Sequence, residues 1–72
     1  MLGERLKYQR KTRGINQAEM ALRLGMTRQG YSHYETGRNE PDHNTLSKIA
    51  DILNCSIDYL LGREDSPTQV EI

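Results

Sequence analysis

The sequence predicts an all-α protein, a compact five-helix domain. Three observations carry that expectation. Apolar residues recur at helical spacing, most clearly as Leu46, Ile49, Ala50 and Leu53, which stand at i, i+3, i+4 and i+7. No stretch sustains the period-two alternation of a half-buried strand. Capping residues and helix stops alternate along the whole chain, at spacings that leave room only for short helices.

The first helix is expected over residues 2–13. GERLKYQRKTR is rich in helix formers, places Leu2 and Leu6 four apart, and ends at Gly14, a residue suited to a helix C-terminus. In NQAEMALRLG, Asn16 is a good N-cap, Glu19 stands three residues on as in a capping box, and Gly25 stops the helix. Met20, Ala21 and Leu24 give this second helix an apolar side. Gly25, Met26 and Thr27 then allow only a tight turn before Thr27 caps a third helix that closes near Thr36. GRNEP is a polar connection whose Pro41 bars further helix. Asp42 caps the fourth helix and Asn54 ends it. Ser56 caps a last short helix, IDYLL, which Gly62 stops. Residues 1–62 therefore form one domain, and residues 63–72 are expected to be a polar, flexible tail.

Composition narrows the function classes. A chain of 72 residues with 35% hydrophobic residues, no Trp and no Phe fills a small core with Leu, Ile, Met, Ala and Tyr. That leaves little room for a deep substrate pocket, and neither a small-molecule substrate nor a cofactor is expected. A lone Cys55 cannot close an internal disulfide, and no apolar run has the length of a membrane span or signal peptide, so a cytoplasmic location and no membrane partner are expected. Two histidines and one cysteine fall short of a zinc pattern. Cys55 paired with His33 or His43 can be imagined as a nucleophile and base. No Gly-rich loop accompanies it, and its apolar surroundings predict a buried, inert thiol, so no enzyme is expected.

Net charge is zero, yet the charge is divided. Residues 1–38 hold eight basic and three acidic side chains, a net of +5, and residues 39–72 hold two basic and seven acidic, a net of −5. One end of the molecule is suited to a polyanion, and the other is not.

Two short helices joined by a Gly-containing turn of this length are the signature of a helix-turn-helix. In its second helix, TRQGYSHYE, helical periodicity puts Arg28, Gln29, Ser32, His33 and Thr36 on one arc and Gly30, Tyr31 and Tyr34 on the other. The tyrosines suit a core. A duplex major groove admits one helix, and its base edges are read by Arg to guanine and Gln to adenine, from the helix's N-terminal end. Arg28 and Gln29 stand at that end, Ser32 and His33 lie one turn on, and these four are the candidate base readers.

NQAEMALRLGMTRQGYSHYETGRNEP, continued by PDHNTLSKIADILNCSIDYLLG, resembles the Cro and phage-repressor (Xre-type) helix-turn-helix family over roughly residues 3–62. Its landmarks are Gln17, Ala21, Gly25, Tyr-Glu-x-Gly at 34–37 and Ser-x-Asp-Tyr-Leu-Leu at 56–61. The resemblance implies a repressor-like domain that regulates transcription, bound as a homodimer to a palindromic double-stranded DNA operator. It also implies phosphate contacts from Gln17, Thr27, Thr36, Arg38 and Asn39, and a structural ion pair between Arg10 and Glu35. For Arg38 the charge argues in the same direction. Two residues depart from the family pattern: Gly30 inside the third helix, and Arg13 where an apolar residue is common. Tyr59 and Leu61 are the candidates for contact with a second subunit. The rival reading is a protein-binding adaptor or antitoxin-like module of the same fold, which has no use for Arg28 and Gln29 at an exposed helix start.

Overall fold

The computed structural model describes residues 2–64. It contains α1 (Leu2–Thr12), α2 (Gln17–Leu24), α3 (Arg28–Thr36), α4 (His43–Leu53) and α5 (Ile57–Leu60), with no strand among the described residues. Helices α2 to α5 each start where a short polar side chain turns back on the backbone. Asn16 Oδ1 accepts from the Glu19 N–H at 2.8 Å and Thr27 Oγ1 from the Gly30 N–H at 3.1 Å. Asp42 Oδ1 accepts from the Thr45 N–H at 2.8 Å and Ser56 Oγ from the Tyr59 N–H at 3.0 Å. These bonds satisfy amides that have no partner within their own helix.

The capping box at Asn16 is half made. Glu19 does not reach back to the Asn16 amide; its carboxylate accepts from Arg23 Nε at 2.9 Å, one turn along the helix. An i, i+4 ion pair has displaced the reciprocal bond. The first helix ends at Thr12, one residue early, because Ile15 donates its N–H to the Arg10 carbonyl (3.1 Å) and draws the chain toward α2.

The core gathers one stripe from every helix. Leu6, Met20, Ala21, Tyr31, Leu46, Ile49, Ala50, Leu53, Tyr59 and Leu60 are buried together with Cys55. Helix α3 packs on α1 and α2, α4 on α2 and α5, and α5 returns to α1. Burial of each large aliphatic side chain contributes roughly 1.5–3 kcal/mol, and Tyr31 supplies the aromatic bulk that Phe or Trp would otherwise provide.

Two expectations change. Tyr59 is only 8% exposed and belongs to the core, with the Arg5 guanidinium stacked 4.4 Å above its ring; Leu61, at 39%, keeps an exposed apolar surface. Tyr59 is therefore already covered by α1 and is not spare for a partner. The packed chain also runs past Gly62. Arg5 Nη1 donates to the Tyr59 and Glu64 carbonyls at 2.8 and 2.9 Å, and Ser56 Oγ donates to Glu64 Oε1 at 3.1 Å. The rest of the expected tail, residues 65–72, lies outside the described residues.

Candidate nucleic-acid interface

The candidate interface is built on the turn between α2 and α3. Gly25 adopts the left-handed conformation (φ 68°, ψ 34°) and caps α2 through its N–H, which meets the Ala21 and Leu22 carbonyls. A side chain at that φ is strained, so glycine is what allows the chain to reverse this tightly. Met26 then bonds the Ala21 carbonyl at 3.0 Å, and Thr27 starts α3 at once.

Helix α3 has two unlike faces. Its inner face buries Tyr31 and Glu35, with Tyr34 half-buried and edge-on to Tyr31 at a centroid distance of 6.2 Å. Its outer face presents Arg28, Gln29 and Thr36 exposed, and Ser32 and His33 half-buried between them. Arg28 and Gln29 have no side-chain partner among the described residues. The five residues assigned to one arc thus do share one face, and that face is open.

The inner face is held by a polar cluster. Arg10 Nε donates to Glu35 Oε2 at 2.6 Å and Arg10 Nη2 to Oε1 at 3.1 Å, a two-pronged pair in which both side chains are under 10% exposed. The same carboxylate accepts from Tyr31 OH and from Gln17 Nε2 at 3.1 Å, while Arg10 Nη1 reaches the Ile15 carbonyl at 2.8 Å. One carboxylate thereby ties α1, α2 and α3 together. Burial pushes the Glu35 carboxyl up, but the hydrogen bonds from Arg10, Tyr31 and Gln17 outweigh it and hold the group below its ordinary range. The hydrogen bond to Glu35 raises the Arg10 pKa against the effect of burial, and burial followed by the Glu35 bond raises Tyr31.

The flanking residues fall around the two ends of α3. Thr27 is exposed at its start, and its hydroxyl, though accepting from Gly30, keeps a proton to donate. Thr36 is exposed at its end, where its hydroxyl donates to the His33 carbonyl at 3.3 Å. Gly37 turns the chain with φ 82°, after which Arg38 and Asn39 stand exposed, and the Asn39 N–H meets the His33 carbonyl at 3.2 Å. Gln17 is half-buried at the start of α2, with one amide hydrogen spent on Glu35 and the other available.

Sequence reading missed two members of this site. The Tyr31 to Glu35 bond had a signal, since residues four apart share a helix face. Gly3 had a weaker one, a glycine inside a strong helix-forming run, and the structure buries it against α3. Gly30 is explained in part: a Cβ there would stand 3.1 Å from Thr27 Oγ1 and 3.2 Å from Met26 Cε, so the position is crowded by the cap it serves. Cys55 is buried, and burial raises its thiol pKa despite Arg13 nearby, which keeps it a poor nucleophile. No cluster of His, Cys, Asp and Glu among the described residues is arranged to hold a metal ion, and no helix among them is long and apolar enough to cross a membrane.

The sequence profile of the helix-turn-helix family matches residues 6–60, from Leu6 within α1 to the end of α5. The chain belongs to the helix-turn-helix family. Within this family it is 54% identical over 61 residues to YonR, an SPbeta prophage-derived HTH-type transcriptional regulator of Bacillus subtilis (strain 168); the match covers 85% of this chain and 56% of that protein. Its fold is similar to that of the c2 repressor of Salmonella phage P22 in complex with synthetic operator 9T, with a TM-score of 0.83 and 33% identity, covering 89% of this chain and 97% of that one. It is similar too to SinR, a master regulator for biofilm formation, in complex with DNA, with a TM-score of 0.77 and 31% identity, covering 85% of this chain and 98% of that one. This helix-turn-helix chain spans about half the length of the curated relatives it matches.

Proposed function

We propose that this chain is the DNA-binding part of a cytoplasmic transcriptional regulator, a repressor of the phage or bacterial kind, that lays α3 in the major groove of an operator. The observation that carries the reading is the division of α3. Tyr31 and Glu35 lock one face into the domain, while Arg28 and Gln29 stand exposed at the start of the other, with no side-chain partner among the described residues. A helix anchored by its inner face, with exposed Arg and Gln at its N-terminal end, matches the donor and acceptor code of base edges, and Ser32 and His33 extend the same face. The names of the relatives and the two DNA complexes of similar fold support it.

Affinity comes from a second set of contacts. Gln17, Thr27, Thr36, Arg38 and Asn39 surround the two ends of α3, where amide, hydroxyl and guanidinium donors meet phosphates on either side of the groove. The excess of positive charge in residues 1–38 draws the duplex to this side, and the acidic second half faces away. One helix reads too few base pairs to single out a genomic site. A two-fold dimer on a palindrome supplies the rest, with recognition helices about 34 Å apart.

Selection of bound duplexes from a random pool, followed by footprinting, tests the reading. The expected product is one sequence motif repeated about a dyad, protected on one side of the duplex. A pool that yields no enriched motif, from protein that is folded by circular dichroism, rejects it in favour of a protein-binding adaptor.

A further inference from the structure

Gly3 lies where α1 meets the end of α3. A Cβ at this position would stand 2.8 Å from the carbonyl carbon of Glu35 and 2.9 Å from the carbonyl oxygen of Tyr34, and closer still to the Glu35 carbonyl oxygen. These are backbone atoms of a helix packed on both sides, so they cannot swing away as the tip of a flexible side chain would. Only glycine lets the two backbones touch here.

Arg10 stands two turns along the same face of α1 and grips the same residue from the other side. Gly3 rests on the Glu35 main chain while Arg10 holds the Glu35 carboxylate. The first turn of α1 also adjoins the segment after α3: Leu2, Gly3, Tyr34, Gly37, Arg38 and Asn39 line one shared cleft. A methyl group at Gly3 would meet these backbone atoms, so α1 and the end of α3 could not keep this approach, and Arg38 and Asn39 follow directly after that end.

We propose that Gly3 is a positioning residue for DNA reading: its missing side chain seats α1 on the last carbonyls of α3 and so sets how the recognition helix and the Arg38–Asn39 segment meet the duplex together. This role rests on the function proposed above. Gly3 itself touches no DNA; it acts through Glu35 and the segment after Gly37.

The test compares wild-type protein, Gly3→Ala and Ile52→Ala on the selected operator and on a scrambled duplex, with the active fraction fixed by stoichiometric titration. Ile52→Ala is the structural control, because Ile52 on α4 packs against the core and does not line that cleft. Gly3→Ala is expected to lower the ratio of operator to scrambled affinity about tenfold, the scale of one impaired base-pair contact. Ile52→Ala is expected to lower the melting temperature and leave that ratio unchanged. A wild-type ratio for Gly3→Ala overturns the proposal, as does an equal fall in both variants. A second readout needs no variant to fold. In wild-type protein titrated with operator, the Gly3 amide resonance is expected to shift together with those of Arg38 and Asn39, and a Gly3 resonance that stays fixed while theirs move also overturns it. Equal binding of both duplexes by the wild type would reject the proposed function itself, and this role with it.

Discussion

Arg10 on α1 and Glu35 on α3 meet in a two-pronged ion pair, with Arg10 Nε 2.6 Å from Glu35 Oε2, and both side chains are almost wholly removed from solvent. Surface pairs contribute little, but a buried carboxylate that loses its cation is left uncompensated in a poor solvent. Here the same carboxylate also holds Gln17 and Tyr31, so the loss spreads to α2 and the inner face of α3.

Arg10→Ala is therefore expected to destabilise the domain by roughly 3–5 kcal/mol, a large share of what so small a protein possesses. The double change Arg10→Met with Glu35→Leu removes both charges and is expected to cost much less. Urea denaturation of the two variants checks the order. Equal losses would show that the cluster acts through packing alone.

The same carboxylate sets an acid limit. The folded-state pKa of Glu35 lies below its ordinary 4.5, so its contribution is fully present above that value and is lost as pH falls through the lower folded-state pKa. Tyr31 has the opposite shift: its raised pKa gives stability present below its ordinary 10.0 and lost as pH rises beyond it. Melting temperatures followed across pH are expected to fall at both ends, and Glu35→Gln is expected to flatten the acid limb. An acid limb unchanged by that substitution would assign acid unfolding to other carboxylates.

Much of this fold was legible because its signals are local. Asn16, Thr27, Asp42 and Ser56 cap amides three residues away, and short-range geometry leaves such side chains few alternatives. Glu19 shows the limit even there, since Arg23 competed for the same carboxylate. What was hidden depends on packing between distant segments. Nothing near Tyr59 announces that Arg5, 54 residues earlier, covers it, and nothing near Gln17 announces Glu35. The outer face of α3 was readable from periodicity. Gly3 was not, because the atoms it accommodates lie on another helix.

Phosphate contacts give a distinct salt signature. If about five phosphates are neutralised, log affinity is expected to fall with log salt at a slope of about −4 to −5. Arg38, exposed and outside the reading face, is expected to contribute to all sequences alike. Arg38→Ala should weaken binding to operator and random duplex equally and make the slope shallower by about one. Gel shifts at several salt concentrations measure both, and a flat response would remove the electrostatic basis of the interface.

The central claim is that the open face of α3 reads base sequence, and it is tested most directly by Arg28→Ala and Gln29→Ala on the selected operator and a scrambled duplex. Both residues are exposed, so the fold is expected to survive either change. A loss of about 1–3 kcal/mol per half-site is expected on the operator, with much smaller losses on the scrambled duplex, because base contacts vanish while phosphate contacts remain. Equal losses on the two duplexes, or none on either, would contradict it.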